Sequence, residues 1–239
     1  MNKLKTGFFI LLALFSLMIA NAQTADEIIA KHIDAIGGKD KLSQINTVYI
    51  ESSTSIMGND SPTKTYIVNG KAYRNESNFN GQQFVNVIKD TSGWMINPYA
   101  GATDPTAISS DEFKMNADEI YAEPFLNYAA NGAKVELVGQ EKVGDVNAYK
   151  LKYTNKYGSE SNYYIDPATW YVIQVTKQAT AMGQPVTITV TPSNYKQTDF
   201  GVFMPFTTHI DMGQFALDIN TQKVQVNTDI DPKIFEMSK

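Results

Sequence analysis

The chain has no cysteine, a single arginine and only two histidines in 239 residues. Without cysteine there can be no disulfide, no thiolate metal site and no thiol nucleophile. A lipid-anchored N-terminus, which needs a cysteine at the cleavage site, is excluded as well. Catalytic signatures are equally sparse: there is no Gly-x-Ser-x-Gly elbow, no phosphate-cradling glycine loop and no His-Glu-x-x-His. Positive charge is short, with 20 basic against 25 acidic residues and a net charge of −5, which argues against nucleic-acid binding.

Long apolar runs occur only at the start. Lys3 and Lys5, the run from Phe8 to Ala20 and the small-x-small triplet Ala20-Asn21-Ala22 form a secretory signal pattern over residues 1–22. The expected mature chain is one domain, 23–239, directed to the periplasm as a soluble protein. Beyond Ala22 no stretch is apolar for the 18 residues or so that a membrane-spanning helix requires. With 43% apolar residues the chain can bury a sizeable core.

Hydrophobic periodicity supplies the architecture. Thr24 and Glu27 form a capping box ahead of Ile28, Ile29, His32, Ile33 and Ile36, which recur at helical spacing until Gly37-Gly38. From Thr47 the period becomes two: Val48, Ile50, Ser52, Thr54 and Ile56 alternate with Tyr49, Glu51 and Ser53. Asn69-Gly70 and Asn80-Gly81 are hairpin signals between strands predicted at 64–68, 71–79, 82–89 and 93–97. From Tyr99 to Asn131 the spacing predicts a long crossover with short helical turns broken at Pro124. Strands resume near Lys134 and continue to Asn227. About eleven strands with few helices predict a mainly β, antiparallel protein with its helices on one side.

For chemistry, His209 and Asp211 share a face of one strand, the minimum arrangement for a base and its orienter. The acidic pairs Asp26-Glu27, Asp111-Glu112 and Asp118-Glu119 fall at helix starts, where the dipole favours negative charge. No catalytic residue, metal ligand or cofactor is assigned. Aromatic residues concentrate between Tyr73 and Tyr128, including Phe79, Phe84, Trp94 and Tyr99, and predict a core plus a cavity between sheet and crossover. Met57, Met95 and Met115 could give such a cavity an adaptable surface.

The run Lys71-Ala-Tyr-Arg74, Phe84-Val-Asn-Val-Ile88, Asp90 to Gly93 and Trp94-Met-Ile-Asn97-Pro98-Tyr99 resembles the LolA-like family of periplasmic lipoprotein carriers. Tyr163-Tyr-Ile-Asp166-Pro-Ala-Thr-Trp170 and Asn227-Thr-Asp-Ile-Asp231-Pro-Lys-Ile-Phe235 extend the likeness along the chain, which is also similar to the outer-membrane lipoprotein-sorting-like proteins of Bacteroidetes-type bacteria. The resemblance implies a half-open antiparallel β-barrel whose concave face is covered by an N-terminal helix and crossover helices. It implies a carrier of lipid or lipoprotein acyl chains, with envelope proteins as further partners. Ligand contacts are then expected from Arg74, Trp94, Ile96, Phe113, Met115, Tyr121, Phe125 and Leu126, with Arg74 donating to crossover carbonyls. Two alternatives stay open: a non-catalytic envelope interaction or sensor module with a filled interior, and a hydrolase using His209.

Overall fold

The computed structural model describes residues 23–56, 58–181 and 184–237. The expected signal segment 1–22 and Met57 lie outside them.

Helix α1 (Ala25–Ala35) starts where the capping box predicts: Thr24 Oγ1 accepts from Glu27 N at 3.2 Å and Glu27 Oε2 accepts from Thr24 N at 2.9 Å. It ends as Gly38 N donates to Ile33 O at 2.9 Å, with Gly37 and Gly38 at φ of 135° and 85°. Its buried face carries Ile28, Ile29, His32 and Ile33. Each isoleucine removed from water contributes up to about 1.5–3 kcal/mol, so packing rather than intrinsic propensity holds this short helix in place. A four-residue turn, α2 (Lys39–Leu42), leads into the sheet.

Among the described residues thirteen antiparallel strands form one open sheet. The first meander is β1 (Thr47–Ile56), β2 (Asn59–Val68), β3 (Ala72–Phe79), β4 (Gln82–Lys89), β5 (Gly93–Asn97) and β6 (Ala102–Ala107). The second is β7 (Lys134–Val143), β8 (Val146–Thr154), β9 (Glu160–Ile165), β10 (Val172–Ala181), β11 (Gln184–Gln197), β12 (Phe203–Asp211) and β13 (Ala216–Val226). Each strand pairs with its neighbours in sequence, and β13 pairs with β1, so the order is circular except between β6 and β7. This is a mainly β, half-open barrel with its one seam in mid-chain. The segment joining β6 to β7, with α3 (Ser110–Asn116) and a 3₁₀ turn at Ala117–Ile120, lies against the concave face.

Hairpin chemistry explains much of the register. Asn80 and Gly81 both take positive φ, 52° and 79°, as a two-residue type I′ loop between Phe79 and Gln82 requires. The strand number exceeds the expected count of about eleven, and β6 is a strand that the periodicity conceals. Asp104-Pro105 reads as a break in a crossover, yet β6 is an edge strand beside a register shift, where proline's missing N–H is tolerated. The other edge, β7, is interrupted by a bulge between Leu137 and Gly139 that leaves Val138 57% exposed. Such irregularity discourages pairing with another chain.

Two apolar clusters follow from the two faces. On the concave side α1 packs with Val48, Leu151, Tyr153, Ile165, Val172 and the crossover residue Phe125. On the convex side Ala72, Val85, Val87 and Trp94 are covered by Phe235, in a 3₁₀ turn at Pro232–Phe235. No described helix is long and apolar enough to cross a membrane.

Candidate functional site

Strand alternation decides which side chains enter the concavity. On β3, Tyr73, Asn75, Ser77 and Phe79 point inward, and on β13 Leu217 and Ile219 do so. The pairing of Thr54 with both Ser61 and Ile219 brings β2, β1 and β13 together on that face. At one end of the half-barrel they surround a cavity of about 850 Å³, within the usual range for small-molecule sites. Tyr73, Phe79, Phe84, Ile210, Leu217 and Ile219 supply apolar wall, while Thr54, Ser61, Thr63 and Ser77 supply hydroxyls. None of the described lining residues is charged. Tyr99 and Phe215 also line the cavity and are 69% and 46% exposed, so aromatic surface extends to its mouth.

The hydroxyls are arranged rather than scattered. Thr54 Oγ1 and Thr63 Oγ1 lie 2.8 Å apart, and both residues are buried. Burial raises the Tyr73 hydroxyl well above its ordinary range, with the Glu119 carboxylate adding to the effect, so the phenol stays neutral.

The residues expected at the site divide into two groups. Arg74, Trp94 and Ile96 lie on the convex face, and Ile96 also borders a hollow of about 240 Å³ together with Asn86 and Met95. There Arg74 donates to Glu76 Oε2 through Nε at 2.9 Å and Nη2 at 2.7 Å, and through Nη1 to Ile234 O at 2.8 Å. Trp94 Nε1 donates to Phe235 O at 3.0 Å, and the guanidinium carbon of Arg74 is 5.6 Å from the Trp94 ring centroid. The carbonyl recognition expected of Arg74 is therefore directed at the closing 3₁₀ turn instead of the crossover. The fork of donors holds the C-terminal segment to the outside of the sheet.

The second group belongs to the crossover. The Phe113 ring is 5.1 Å from that of Tyr157, and Met115 is half-buried nearby on α3. Tyr121 lies over the β2–β3 turn, where a Cβ added at Gly70 would meet its ring at 3.6 Å. Phe125 is 2% exposed, and Leu126 packs against the same core. These side chains fasten the crossover rather than line the large cavity. Polar bonds reinforce them: Gly70 N donates to Ile120 O at 2.8 Å, Ala122 N to Asn69 Oδ1 at 3.0 Å, and Asn155 Nδ2 to Lys114 O at 2.8 Å.

His209 does not pair with Asp211. Its Nδ1 lies 2.7 Å from Oδ1 of Asp218, its direct partner on β13, and the two side chains are 48% and 55% exposed. Among the described residues no group of three or more histidine, aspartate and glutamate side chains is placed to hold a metal ion.

Sequence reasoning named Tyr73, Phe79, Phe84 and Tyr99 as aromatics but not as one wall. It missed Ile210, Phe215, Leu217 and Ile219. The alternation of Phe215, Leu217 and Ile219 with Ala216, Asp218 and Asn220 marked an apolar face; only the β1–β13 pairing reveals what that face meets.

A single antiparallel sheet, circular in order, open at one seam and lined by helix and crossover, is the LolA-like architecture. The solved structures bear this out. The chain is similar to a LolA superfamily protein from Nitrosomonas europaea, with TM-score 0.58, 13% identity and coverage of 90% of this chain and 98% of that one. A DUF1329 family protein from Desulfovibrio piger gives 0.56 and 16%, covering 88% and 96%. A putative outer membrane lipoprotein-sorting protein domain from Vibrio parahaemolyticus gives 0.54 and 15%, covering 87% and 94%. No protein-family model matches the sequence, and no curated protein does.

Proposed function

We propose that the protein is a periplasmic carrier that holds the acyl chain of a lipoprotein or another lipid-like molecule inside the half-barrel. The observation that carries this reading is the 850 Å³ cavity with an uncharged lining and exposed aromatic residues at its mouth. Each methylene transferred from water into such a space contributes about 0.8 kcal/mol, so part of one acyl chain gives useful affinity without any catalytic group. The fold shared with a domain named for lipoprotein sorting supports the same reading. The solvent-facing His209–Asp218 pair lends no support to a hydrolase.

Ile219→Lys and Leu217→Lys place an ammonium in the wall and are each expected to weaken binding of a fluorescent acyl probe at least about tenfold, a change of about 1.4 kcal/mol. Fluorescence titration of variants with wild-type circular dichroism checks this. Unchanged affinity in both variants sinks the carrier reading and leaves an interaction module of the same fold. Export through residues 1–22 belongs to the proposal. N-terminal sequencing of periplasmic protein is expected to begin at Gln23, and an intact Met1 there contradicts it.

A further inference from the structure

A second chamber adjoins the large cavity. That cavity shares Asn75, Phe84 and Asn97 with this hollow of about 240 Å³, which Glu112 and Asn116 of α3 also line. The floor of this hollow is set by register. Asn75 on β3 lies directly opposite Asn86 on β4, and Asn86 opposite Met95 on β5. Asn97, two residues beyond Met95, projects from the same face. Three adjacent strands thus aim one carboxamide each into a single space.

These amides are only partly used by the protein. Asn75 Nδ2 donates to Thr65 Oγ1 at 2.9 Å, and Asn97 Oδ1 accepts from Ala100 N at 3.3 Å. Among the described residues Asn75 Oδ1, Asn97 Nδ2 and both polar atoms of Asn86 have no partner. None of these atoms is sealed away from solvent, so each is accessible to a molecule entering the hollow. Asparagine is depleted in strand interiors, where it packs poorly, which makes a row of three unusual as mere sheet filling.

Charge narrows the choice of occupant. Among the described residues no lysine, arginine or histidine lines either chamber, and the one charged lining residue, Glu112, is an acid. Its Oε2 already accepts from Ser109 N at 3.0 Å and Ser109 Oγ at 2.8 Å. Lys177, which donates to Asn116 Oδ1 at 3.2 Å, stands 4.0 Å from Glu119 Oε1. A carboxylate or phosphate entering here loses water without gaining a counter-charge. An amide or hydroxyl head instead finds donors and acceptors together, because each carboxamide offers both.

We propose that the small chamber is a head-group subsite, in which Asn75, Asn86 and Asn97 bind an uncharged amide- or hydroxyl-bearing head while the acyl chain lies against Phe79, Leu217 and Ile219. The assignment rests on the carrier reading and adds the class of molecule carried.

The test displaces a fluorescent monoacylglycerol from the mature chain with three competitors that share a palmitoyl chain: N-palmitoylglycinamide, monopalmitoylglycerol and palmitate, at a pH where palmitate is ionised. At least one neutral competitor is expected to act at a concentration about tenfold lower than palmitate. Asn86→Leu is expected to narrow that gap to below about threefold without weakening palmitate. Asn86→Ala repeats the measurement with a smaller side chain should the leucine variant fail to fold. Whether the amide or the glycerol ester competes better distinguishes a peptide-like head from a glycerol-like one. Palmitate matching both neutral competitors on wild type, or a gap that survives Asn86→Ala and the Asn75→Ala/Asn86→Ala pair, overturns the subsite and leaves the carrier reading standing. Failure of the probe and of all three competitors to bind overturns both.

Discussion

Phe125→Ala is expected to lower the free energy of unfolding by about 3–5 kcal/mol, the loss typical of a large aromatic removed from a packed core. Phe125 is 2% exposed and its ring centroid lies 4.8 Å from Tyr163, 5.7 Å from His32 and 6.0 Å from Tyr153, in each case edge-on. Three rings on three elements close round one side chain, so collapse into the vacated space would require α1, β8 and β9 to move together. Ile120, 1% exposed, is the crossover's other large apolar anchor of this depth, whereas Phe113 meets Tyr157 on a half-exposed surface. Urea unfolding monitored by tyrosine fluorescence measures the shift in midpoint. A loss below about 1 kcal/mol at constant slope contradicts the role of Phe125 as the peg that fixes the crossover.

His32→Ala is expected to cost about 2–4 kcal/mol and to change how stability depends on pH. The imidazole is 3% exposed, with Nδ1 2.8 Å from Trp170 O and Nε2 3.6 Å from Glu123 Oε2. It therefore ties α1 to the crossover on one side and to the β9–β10 turn on the other. That turn holds Trp170 at φ 61°, a conformation that a non-glycine residue adopts at a cost. Burial disfavours the imidazolium, but the hydrogen bond and charge of Glu123, together with the Trp170 carbonyl, outweigh it and raise the pKa above 6.5. A raised folded-state pKa means that the native protein binds the proton more tightly than the unfolded chain. The contribution is complete below about 6.5 and is lost as pH rises through the folded-state value. Urea titrations across that window are expected to show a fall in wild-type stability that flattens in His32→Ala. An identical slope in the variant would place its origin in another group.

Local chemistry carried most of the fold. The Thr24–Glu27 capping box, the type I′ loop at Asn80-Gly81 and the switch of period at Thr47 depend on neighbours a few residues apart, and they were legible. The faces of β3 were legible as well: Arg74 must share one with Ala72 and oppose Tyr73. Which face looks inward was not, because it is set by contacts across more than a hundred residues. Both faces of β3 are covered, one by the crossover and the other by residues 230–235, so burial alone cannot tell them apart. The arginine and the tryptophan stand out by rarity, and rarity drew attention to the convex side. The cavity wall combines tyrosine, phenylalanine, isoleucine and leucine side chains with threonine, serine and asparagine, and they become a site only when β13 lies beside β1.

That last pairing also governs how the molecule must be assembled in time. Every other ladder joins strands adjacent in sequence and can form as the local hairpins do, whereas Val48 opposite Val226 closes almost the whole chain upon itself. The entropy of closing so long a loop has to be overcome before the ladder returns any stabilisation. Loop-closure entropy therefore predicts an order of events in which each meander gathers first and their union at β1 and β13 is the expected slow step. Only with that union does the concavity acquire its second wall, so the binding space is expected to form last.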